Sequence, residues 1–314
     1  MGMFRKSKIY VAGHTGLLGC ALISVLKSKG YNNIVTRSPA QLDLTDKRKV
    51  EGFFKKEKPE YVFLAAGLTG GIIANISYPA AFLHNNIAIQ DCLFDSANKF
   101  GVKHLIFYGS SCMYPKYCRQ PIKEEYLLTG ELEETSQPYA IAKIAGVQAC
   151  KAYNTEYKEN RFIALVPNSM YGPNDDFDLT NSHLLAALIR KFHEAKVNME
   201  KRVILWGTGK PKREFIFSED VAGASIFAMI HSRKLQNMHY NVGTAKELSV
   251  KELAIITAKI IGFKGQIIWD TNKPDGTVRK LLDSGKFFSL GWKPKITLEE
   301  GIARTYSWYV RNSI

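Results

Sequence analysis

The chain has 314 residues and a net charge of +14, with 43 lysines and arginines against 29 aspartates and glutamates. Its apolar fraction of 46% and charged fraction of 23% are typical of globular proteins and exclude a disordered, collagen-like or coiled-coil chain. No apolar run approaches the roughly 18 residues of a membrane-spanning helix, and the N-terminus lacks the features of a secretory signal. We therefore expect a cytoplasmic protein without a membrane partner, built as one large domain or as two of about 150 residues each.

The basic charge favours anionic partners without saying which ones. The densest basic region, residues 190–214, holds eight lysines and arginines against three glutamates, but it contains a Trp-Gly-Thr-Gly run that indicates folded structure. Because nucleic-acid binding needs a recognisable module, small polyanions such as dinucleotides are preferred and nucleic acid is not expected. The five cysteines show no paired spacing, so neither a disulfide framework nor a metal site is predicted.

Short apolar strands alternate with helical patterns through the first half of the chain. Strands are predicted at residues 9–12, 34–36, 61–65, 105–108 and 162–166, with helices at residues 17–29, 47–56, 79–100 and 138–157. This alternation of near-continuous apolar strands with helices is typical of a parallel sheet covered on both faces. We predict an α/β fold with a doubly wound parallel (Rossmann) sheet, in which ligands bind beyond the carboxyl ends of the strands.

The second half of the chain has a different rhythm. Segments rich in Asn, Gly, Pro and charged residues occur at 168–182 and 207–217, and helices are predicted near 183–196, 218–230, 250–261 and 298–310. We assign residues 1–168, together with the helix at about 214–235, to a nucleotide-binding domain. Residues 169–213 and 236–314 are assigned to a smaller C-terminal substrate-binding lobe.

A glycine-rich loop joins the first predicted strand to the first helix. Glycines allow a tight turn and close approach to a pyrophosphate, whose charge lies at the helix N-terminus. At the end of the second strand stands Arg37, with no acidic residue before Asp43, and an arginine suits the 2′-phosphate of NADPH better than the ribose hydroxyl of NAD. We predict NADPH/NADP+ as cofactor, with a plain surface arginine as the alternative interpretation of Arg37. The loop residues are Gly13, Thr15, Gly16, Leu17, Leu18 and Gly19.

Tyr139 and Lys143 lie four residues apart at the start of a predicted helix and project from one face of it. A cation near a phenol lowers the phenol pKa towards working pH, and such a tyrosine serves as a general acid or base beside a carbonyl. Ser110, after the fourth strand, can hydrogen-bond the reacting oxygen. Together the three residues form the Ser/Tyr/Lys constellation of the extended short-chain dehydrogenase/reductase superfamily, which this chain resembles.

Longer motifs give a closer resemblance, to the GDP-L-fucose synthase family within the NAD-dependent epimerase/dehydratase superfamily. The matches run in order along almost the whole chain. Dehydratases of the superfamily carry an Asp-Glu pair after the serine or threonine, whereas this chain has Ser111-Cys112, which disfavours dehydration. The matching strings are GGIIAN (70–75), GSSCMYPK (109–116), QPYAIAKIAG (137–146), YGPNDDF (171–177), NSHLL (181–185), WGTG (206–209), REF (213–215) and KPDGTVRKLLD (273–283).

The resemblance implies a reaction on GDP-4-keto-6-deoxymannose, in which C3 and C5 are inverted and C4 is then reduced with NADPH. By position, Cys112 would be the base and His183 the acid on the opposite face of the sugar. Tyr139 would protonate the C4 oxygen, Lys143 would also hold the nicotinamide ribose, and Ser110 would orient the ketone. A thiol becomes a competent base only where local positive charge lowers its pKa.

The resemblance also assigns contact residues and an oligomeric state. The helices near 79–100 and 138–157 would form the four-helix bundle of a homodimer. Structural alternatives remain for several residues: Cys112 as a buried thiol, His183 as a helix cap or surface residue, Arg213 as an ion-pair partner of Glu214 or Glu219, and Trp206 as core. Beyond the glycine loop, the implied cofactor contacts are Arg37, Asp43, Leu44, Ala65, Ala66, Tyr139, Lys143, Pro167, Asn168 and His183. The implied substrate contacts are Asn168, Lys191, Trp206, Arg213, Asp275 and Lys280.

Several departures from the family pattern leave the sugar open. This chain has Thr15 where the family commonly has Arg, and Leu68-Thr69 where it has a Lys-Val pair, and it differs at Ile76 and at Asp178-Leu179. One alternative is therefore a GDP-4-keto-6-deoxyheptose C4-reductase without epimerase activity, acting in capsule or lipopolysaccharide synthesis. An alternative of another class is a non-catalytic NADPH-binding regulator.

Overall fold

The computed structural model describes residues 3–273 and 275–312, and it is an α/β protein. Pro274, which belongs to the matching string at 273–283, lies outside the described residues. The strands are β1 (Ile9–Ala12), β2 (Ile34–Val35), β3 (Tyr61–Leu64), β4 (His104–Tyr108), β5 (Phe162–Pro167), β6 (Ser169–Tyr171), β7 (Arg202–Trp206), β8 (Lys212–Arg213), β9 (Phe215–Phe217), β10 (His239–Val242), β11 (Leu248–Ser249), β12 (Gln266–Asp270) and β13 (Arg279–Lys280).

The longer helices coincide closely with the predicted ones, because their apolar faces and caps are local sequence features, whereas the short helices α3 and α9 were not predicted. Asp46, for example, begins α2 by accepting a hydrogen bond from the Lys49 amide at 3.1 Å, and Ser249 and Glu252 form a capping box at the start of α8. The helices are α1 (Leu17–Ser28), α2 (Lys47–Glu57), α3 (Ile72–Ser77), α4 (Pro79–Lys99), α5 (Gln137–Glu156), α6 (Leu184–Val197), α7 (Ser218–Ile230), α8 (Val250–Ile261), α9 (Gly285–Ser289) and α10 (Leu298–Asn312).

A six-stranded parallel sheet forms the centre, in the order β10-β5-β4-β3-β1-β2. The chain runs outward from β1 to β2 and then crosses to β3 on the other side of β1, so the strand order reverses there. In such sheets, loops that leave in opposite directions open a crevice beyond the carboxyl ends of the strands, where ligands bind. The prediction of a doubly wound parallel sheet is confirmed.

Helices cover both faces of this sheet and explain why its strands are apolar throughout. Alternate strand residues such as Val11 and Ile106 face a core shared with α1 and α7. Their neighbours, such as Val62 and Phe107, face a second core shared with α2, α4 and α5. Each strand therefore buries side chains on both faces, as expected for a parallel sheet.

A smaller lobe is built from α6, α8 and α10 with the short sheets β7–β12 and β11–β8–β13. Its core contains Phe192, Leu253 and Ile302. The lobe reaches the carboxyl ends of the central strands, since β6 follows β5 directly and pairs with β9. Within the described ranges, no helix is both long and apolar enough to cross a membrane.

The predicted lobe segment 236–314 needs a correction. Strand β10 belongs to the central sheet, where it pairs with β5, and α9 with Trp292 packs into the core beneath it. The strand reads His-Tyr-Asn-Val and lacks an apolar run. Its polar side chains are buried because Tyr114 donates to Asn241 Oδ1 at 2.6 Å and lies 3.1 Å from His239 Nε2.

Candidate active site

The glycine loop after β1 has the backbone geometry of a phosphate cradle. Gly13 has a φ of +82°, and a Cβ added there would lie 2.6 Å from the Ala66 Cα, while one at Gly19 would collide with the Gly13 carbonyl oxygen. Gly16 caps α1 without a side chain, and the first turn of α1 carries no acidic residue. The helix amides therefore stay available to a pyrophosphate, so these residues fit the predicted dinucleotide.

The other predicted cofactor residues lie on the loops around this cradle. Ala65 and Ala66 follow β3, and the Ala65 amide donates to the Ala12 carbonyl at 3.0 Å, which holds the two loops together. Pro167 ends β5, and Asn168 follows it. Asp43 is exposed and accepts two hydrogen bonds from Thr45, which lower the pKa of its carboxyl group. The contacts of these residues and of Leu44 and Thr15 with a cofactor stay predictions.

Arg37 stands directly after β2, at the side of the crevice where the prediction needs it. Its guanidinium already forms a 2.6 Å ion pair with Glu57, donates to the Thr36 carbonyl at 2.7 Å and lies 5.3 Å from the centre of the Phe53 ring. These contacts hold the side chain in place, but a 2′-phosphate would have to share the guanidinium with the Glu57 carboxylate. Binding of that phosphate by Arg37 stays a prediction.

The structure brings Ser110, Tyr139 and Lys143 to one place at the carboxyl end of β4. Ser110 caps a short 3₁₀ turn at 111–113, where its Oγ accepts from the Cys112 amide at 3.3 Å. Lys143 is buried, donates to the Tyr108 carbonyl at 2.9 Å and has its Nζ 5.7 Å from the centre of the Tyr139 ring. The strand thus fixes the lysine, and α5 presents the tyrosine beside it.

Burial controls the protonation of this group. It lowers the pKa of Lys143 to about 8. It also raises the pKa of the Tyr139 phenol, and the negative charge of Cys112 adds to that rise, while the hydrogen bond with Ser110 opposes it. The expectation of a lowered phenol pKa was therefore wrong for this structure, because burial outweighs the nearby cation. Tyr139 is a protonated phenol, the form needed to donate a proton.

Cys112 has a cationic partner. Lys280 Nζ lies 3.6 Å from Cys112 Sγ. Burial by itself would raise the thiol pKa, but the charge of Lys280 and hydrogen bonds from Ser110, Lys280 and Ser136 together lower it. Local positive charge is what a reactive thiolate requires, so this geometry distinguishes Cys112 from the buried Cys92 and Cys150, whose pKa values are raised by burial.

His183 precedes α6 and lies exposed in a loop that contacts the start of α3. The Gly71 amide donates to the Asn181 carbonyl at 2.9 Å, which ties that loop to the α3 N-terminus. Desolvation by the surrounding protein lowers the pKa of His183, and the charge of Asp176 opposes this effect. The side chain makes no helix-capping hydrogen bond, so the alternative interpretation as a capping residue is not supported.

A basic and aromatic cluster marks the side of the cleft formed by the lobe. Trp206 is 53% exposed, which excludes the alternative of a core residue, and the Nζ atoms of Lys191 and Lys273 lie 6.0 and 5.4 Å from the centre of its ring. Asp275 accepts from the Thr208 amide at 2.6 Å and hydroxyl at 2.7 Å. These contacts join the β7 exit to the loop before β13.

Arg213 is half-buried in β8 and has no ion pair with Glu214 or Glu219. Its side chain donates to the Lys212 carbonyl, at 2.8 Å, as its one hydrogen bond within the described part of the chain, while Glu219 pairs with Arg304. Burial lowers the pKa of Arg213, opposed by the charges of Asp275 and Cys112. A cation held near the thiol with unused donors suits an anionic group such as a diphosphate.

Comparison with known proteins agrees with this geometry. Residues 9–243 match the model of the NAD dependent epimerase/dehydratase family. The chain belongs to this family. Within it, the chain is 49% identical to GDP-L-fucose synthase 1 of Arabidopsis thaliana, over 98% of this chain and 94% of that protein. The predicted resemblance to the GDP-L-fucose synthases is thereby confirmed.

Two solved members of the epimerase family from Campylobacter jejuni have closely similar structures. A GDP-6-OMe-4-keto-L-xylo-heptose reductase is 41% identical with a TM-score of 0.91, and each chain covers 99% of the other. A GDP-mannoheptose C4 reductase with NADP bound is 40% identical with a TM-score of 0.88, over 98% of this chain and all of that one. These similarities cover both the central sheet and the lobe.

Two buried polar residues that organise this epimerase-family site escaped the sequence prediction. Asn86 on α4 accepts from the Leu68 amide at 3.1 Å and donates to the Leu68 carbonyl at 3.0 Å, which clamps the loop after β3 close to Lys143. Glu214 is fully buried and accepts from the amides of Thr244, Ala245 and Leu282. Glu214 lies within the recognised string at 213–215, whereas Asn86 lies in the middle of α4 outside any such string, and the partners of both are distant in sequence.

Proposed function

We propose that this chain binds NADPH and a GDP-linked 4-keto-6-deoxy sugar, inverts C3 and C5 of the sugar and reduces its C4 ketone. The observation that carries the proposal is the contact of 3.6 Å between Lys280 Nζ and Cys112 Sγ, directly beside the Ser110/Tyr139/Lys143 group. A reductase needs only the Ser110/Tyr139/Lys143 group. A charge-stabilised thiol next to it supplies the base that an epimerisation requires.

The ketone serves both reactions, because it acidifies the neighbouring C–H bonds at C3 and C5. The Cys112 thiolate accepts a proton from the ring carbon, which breaks the C–H bond, forms the S–H bond and leaves an enolate. His183, in its imidazolium form, then donates a proton to the same carbon from the opposite face, so that the configuration inverts. Because desolvation lowers the pKa of His183, this form is the minor one at neutral pH and is refilled from solvent between turnovers. Both groups return to their starting forms by proton exchange with solvent.

The chain's residues also provide for the reduction. Bound NADPH supplies the hydride for C4. Tyr139, protonated because of its raised pKa, donates its proton to the C4 oxygen. Ser110 orients that oxygen, and the Lys143 cation stabilises the phenolate that is left. The glycine loop at 13–19 would hold the pyrophosphate of the cofactor, and the NADP-bound relative supports this choice of cofactor.

On the other side of the cleft, the lobe would hold the GDP portion of the substrate. Arg213 and Lys191 would contact the diphosphate, and Trp206 with its two flanking lysines would contact the nucleoside. Asp275, fixed by Thr208, would position the loop before β13. The homodimer, the cytoplasmic location and the lack of nucleic-acid binding stay predictions; the exposed Ile87 on α4 and Ile141 on α5 support an apolar contact there.

A heptose substrate is a second candidate, and the two Campylobacter jejuni reductases favour it. Their names describe GDP-linked heptoses, and at 41% and 40% identity they are nearly as similar to this chain as the GDP-L-fucose synthase of Escherichia coli, at 43%. Apolar side chains at the cleft, including Ile72 near Gly276, would then contact the longer sugar. In this variant Cys112 and His183 would line the pocket without removing protons.

The test is a single reaction with NADPH and GDP-4-keto-6-deoxymannose in D₂O, with the product read by NMR. We expect reduced product with deuterium at C3 and C5 and inverted configuration. Reduced but unlabelled product would contradict the epimerase step and favour a C4-reductase. No reaction with this sugar, but reduction of a GDP-4-keto-6-deoxyheptose, would favour the heptose. NADPH binding without turnover of either sugar would favour the regulator.

The Cys112→Ser variant separates the two steps. We expect it to lose deuterium incorporation by about 10²-fold or more, as for removal of a general base, while it still reduces a ketone that has already been epimerised. Cys118→Ser is the matched control, since Cys118 lies on the same segment and its thiol pKa is raised by burial. Unchanged exchange in Cys112→Ser would reject the role of this residue.

A further inference from the structure

The group that faces Cys112 most closely comes from the far end of the chain. Lys280 lies in β13, which pairs in parallel with β8 so that Lys280 stands opposite Arg213. Its ammonium group is 3.6 Å from the thiol sulphur across 168 positions of sequence. Nothing within the segment 109–116 supplies a comparable charge to the thiol, because Lys116 pairs with Glu133 at 3.2 Å.

The other charged and titratable groups around Cys112 are already engaged or lie farther from the sulphur. The charge of Arg213 on β8 also interacts with that of Cys112, but the direct contact with the sulphur is that of Lys280, and Arg279 on β13 pairs with Glu247 at 2.7 Å. On α5, Tyr139 is a protonated phenol. Lys280 is therefore the cation placed to act on the sulphur.

A buried carboxylate fixes the backbone that carries Lys280. Glu214 is 0% exposed and accepts from the Leu282 amide at 3.0 Å, two residues beyond Lys280. It also accepts from the Asn168 side chain, whose amide donates to the Lys280 carbonyl at 3.4 Å. A buried carboxylate is stable only when such donors surround it. Glu214 thus joins β5, the loop after β10 and the exit of β13 at one point.

We propose that Lys280 is a positioning residue that keeps Cys112 in its thiolate form, and that the buried Glu214 holds Lys280 against the thiol. The inference deepens the proposed function, since it gives the base its activating partner. Sequence comparison would count Lys280 among the contacts of the substrate. The geometry instead assigns it to the sulphur, before any substrate is bound.

The test follows the alkylation of Cys112 by iodoacetamide as a function of pH, without substrate or cofactor. Site-resolved mass spectrometry separates Cys112 from the four other cysteines. In the wild-type protein we expect the midpoint of the pH curve below the pKa of about 8.5 of an ordinary thiol. In Lys280→Met it should rise by about one unit or more, as expected for loss of a cation at this distance. Lys280→Arg should restore most of the shift.

Matched variants separate a specific effect from a general loss of charge. Arg279→Met removes a neighbouring cation of the same strand that pairs with Glu247, and it should leave the midpoint unchanged. Glu214→Gln keeps the shape of the side chain but weakens its hydrogen bonds, and it should raise the midpoint by a smaller amount than Lys280→Met.

Two results would overturn the proposal. One is a wild-type midpoint at or above that of an ordinary thiol, which needs no variant and does not depend on whether the variants fold. The other is an equal rise in Lys280→Met and Arg279→Met. Since alkylation requires no substrate, failure of the sugar assay would leave this result standing, and an unshifted thiol would not by itself remove the reductase activity.

Discussion

The redox half and the thiol half of the site are built in different ways. Ser110, Tyr139 and Lys143 come from one strand end and one helix of the nucleotide-binding domain, and a backbone carbonyl of β4 fixes the lysine. Cys112 shares that strand end, but its charge partner Lys280 belongs to a short strand of the lobe. Reduction therefore depends on residues of one domain, whereas activation of the Cys112 thiol also depends on the position of a strand of the lobe.

Burial also acts differently in the two halves. In the redox half it is the dominant influence, since it lowers the pKa of Lys143 to about 8 and raises that of Tyr139. In the thiol half burial is overcome by the charge and hydrogen bond of Lys280 together with hydrogen bonds to Ser110 and Ser136, and the pKa of Cys112 falls. The protonation of Tyr139 and Lys143 therefore depends mainly on burial, whereas the protonation of Cys112 depends mainly on the position of the Lys280 ammonium group.

The largest expected effect is a loss of reduction without a loss of exchange. Tyr139→Phe removes the proton donor of the reduction and should lower the rate of NADPH oxidation by about 10²- to 10⁴-fold. Deuterium exchange at C3 and C5 should continue, because Cys112 and His183 are untouched. Cofactor binding, followed by fluorescence, serves as the control for folding. Full NADPH oxidation activity in Tyr139→Phe would contradict the role of Tyr139 as proton donor.

An effect of intermediate size is expected on the pH dependence of the two reactions. Lys143 is charged below its pKa of about 8 and neutral above it, so the stabilisation of the Tyr139 phenolate is lost as the pH rises through 8. We expect kcat for reduction to fall up to tenfold per pH unit above that value. Exchange should show no break at pH 8, since the thiolate persists at high pH and His183, whose pKa is lowered, titrates below that value. Parallel profiles for the two steps would argue against separate control.

The smallest effect concerns the choice of cofactor at the rim of the redox half. Arg37→Ala should raise the KM for NADPH by about five- to tenfold, because a charge-assisted hydrogen bond to the 2′-phosphate is lost, and it should leave the KM for NADH unchanged. Glu57→Gln frees the guanidinium from its ion pair and should lower the KM for NADPH. An equal change in both KM values for Arg37→Ala would assign the arginine a purely structural role.

Features that depend on local sequence patterns were predicted correctly in both halves. The helices, the parallel strands and the glycine loop follow from local patterns, and so does the Ser110/Tyr139/Lys143 group, whose members lie near one another along the chain. Strand β10 was missed because buried His239 and Asn241 interrupt its apolar pattern, and their partners Tyr114 and Glu124 lie more than a hundred residues away.

The sequence by itself determined the fold class and the family and predicted the reacting groups, since these depend on periodicity and on recognisable strings. The tertiary structure alone decided their protonation. It showed that Tyr139 is a neutral phenol, that Glu214 is a buried anchor of three segments, and that Lys280 lies against the Cys112 sulphur. The physical reason is that a pKa depends on burial and on charges within a few ångströms, and those distances exist only after distant parts of the chain have packed together.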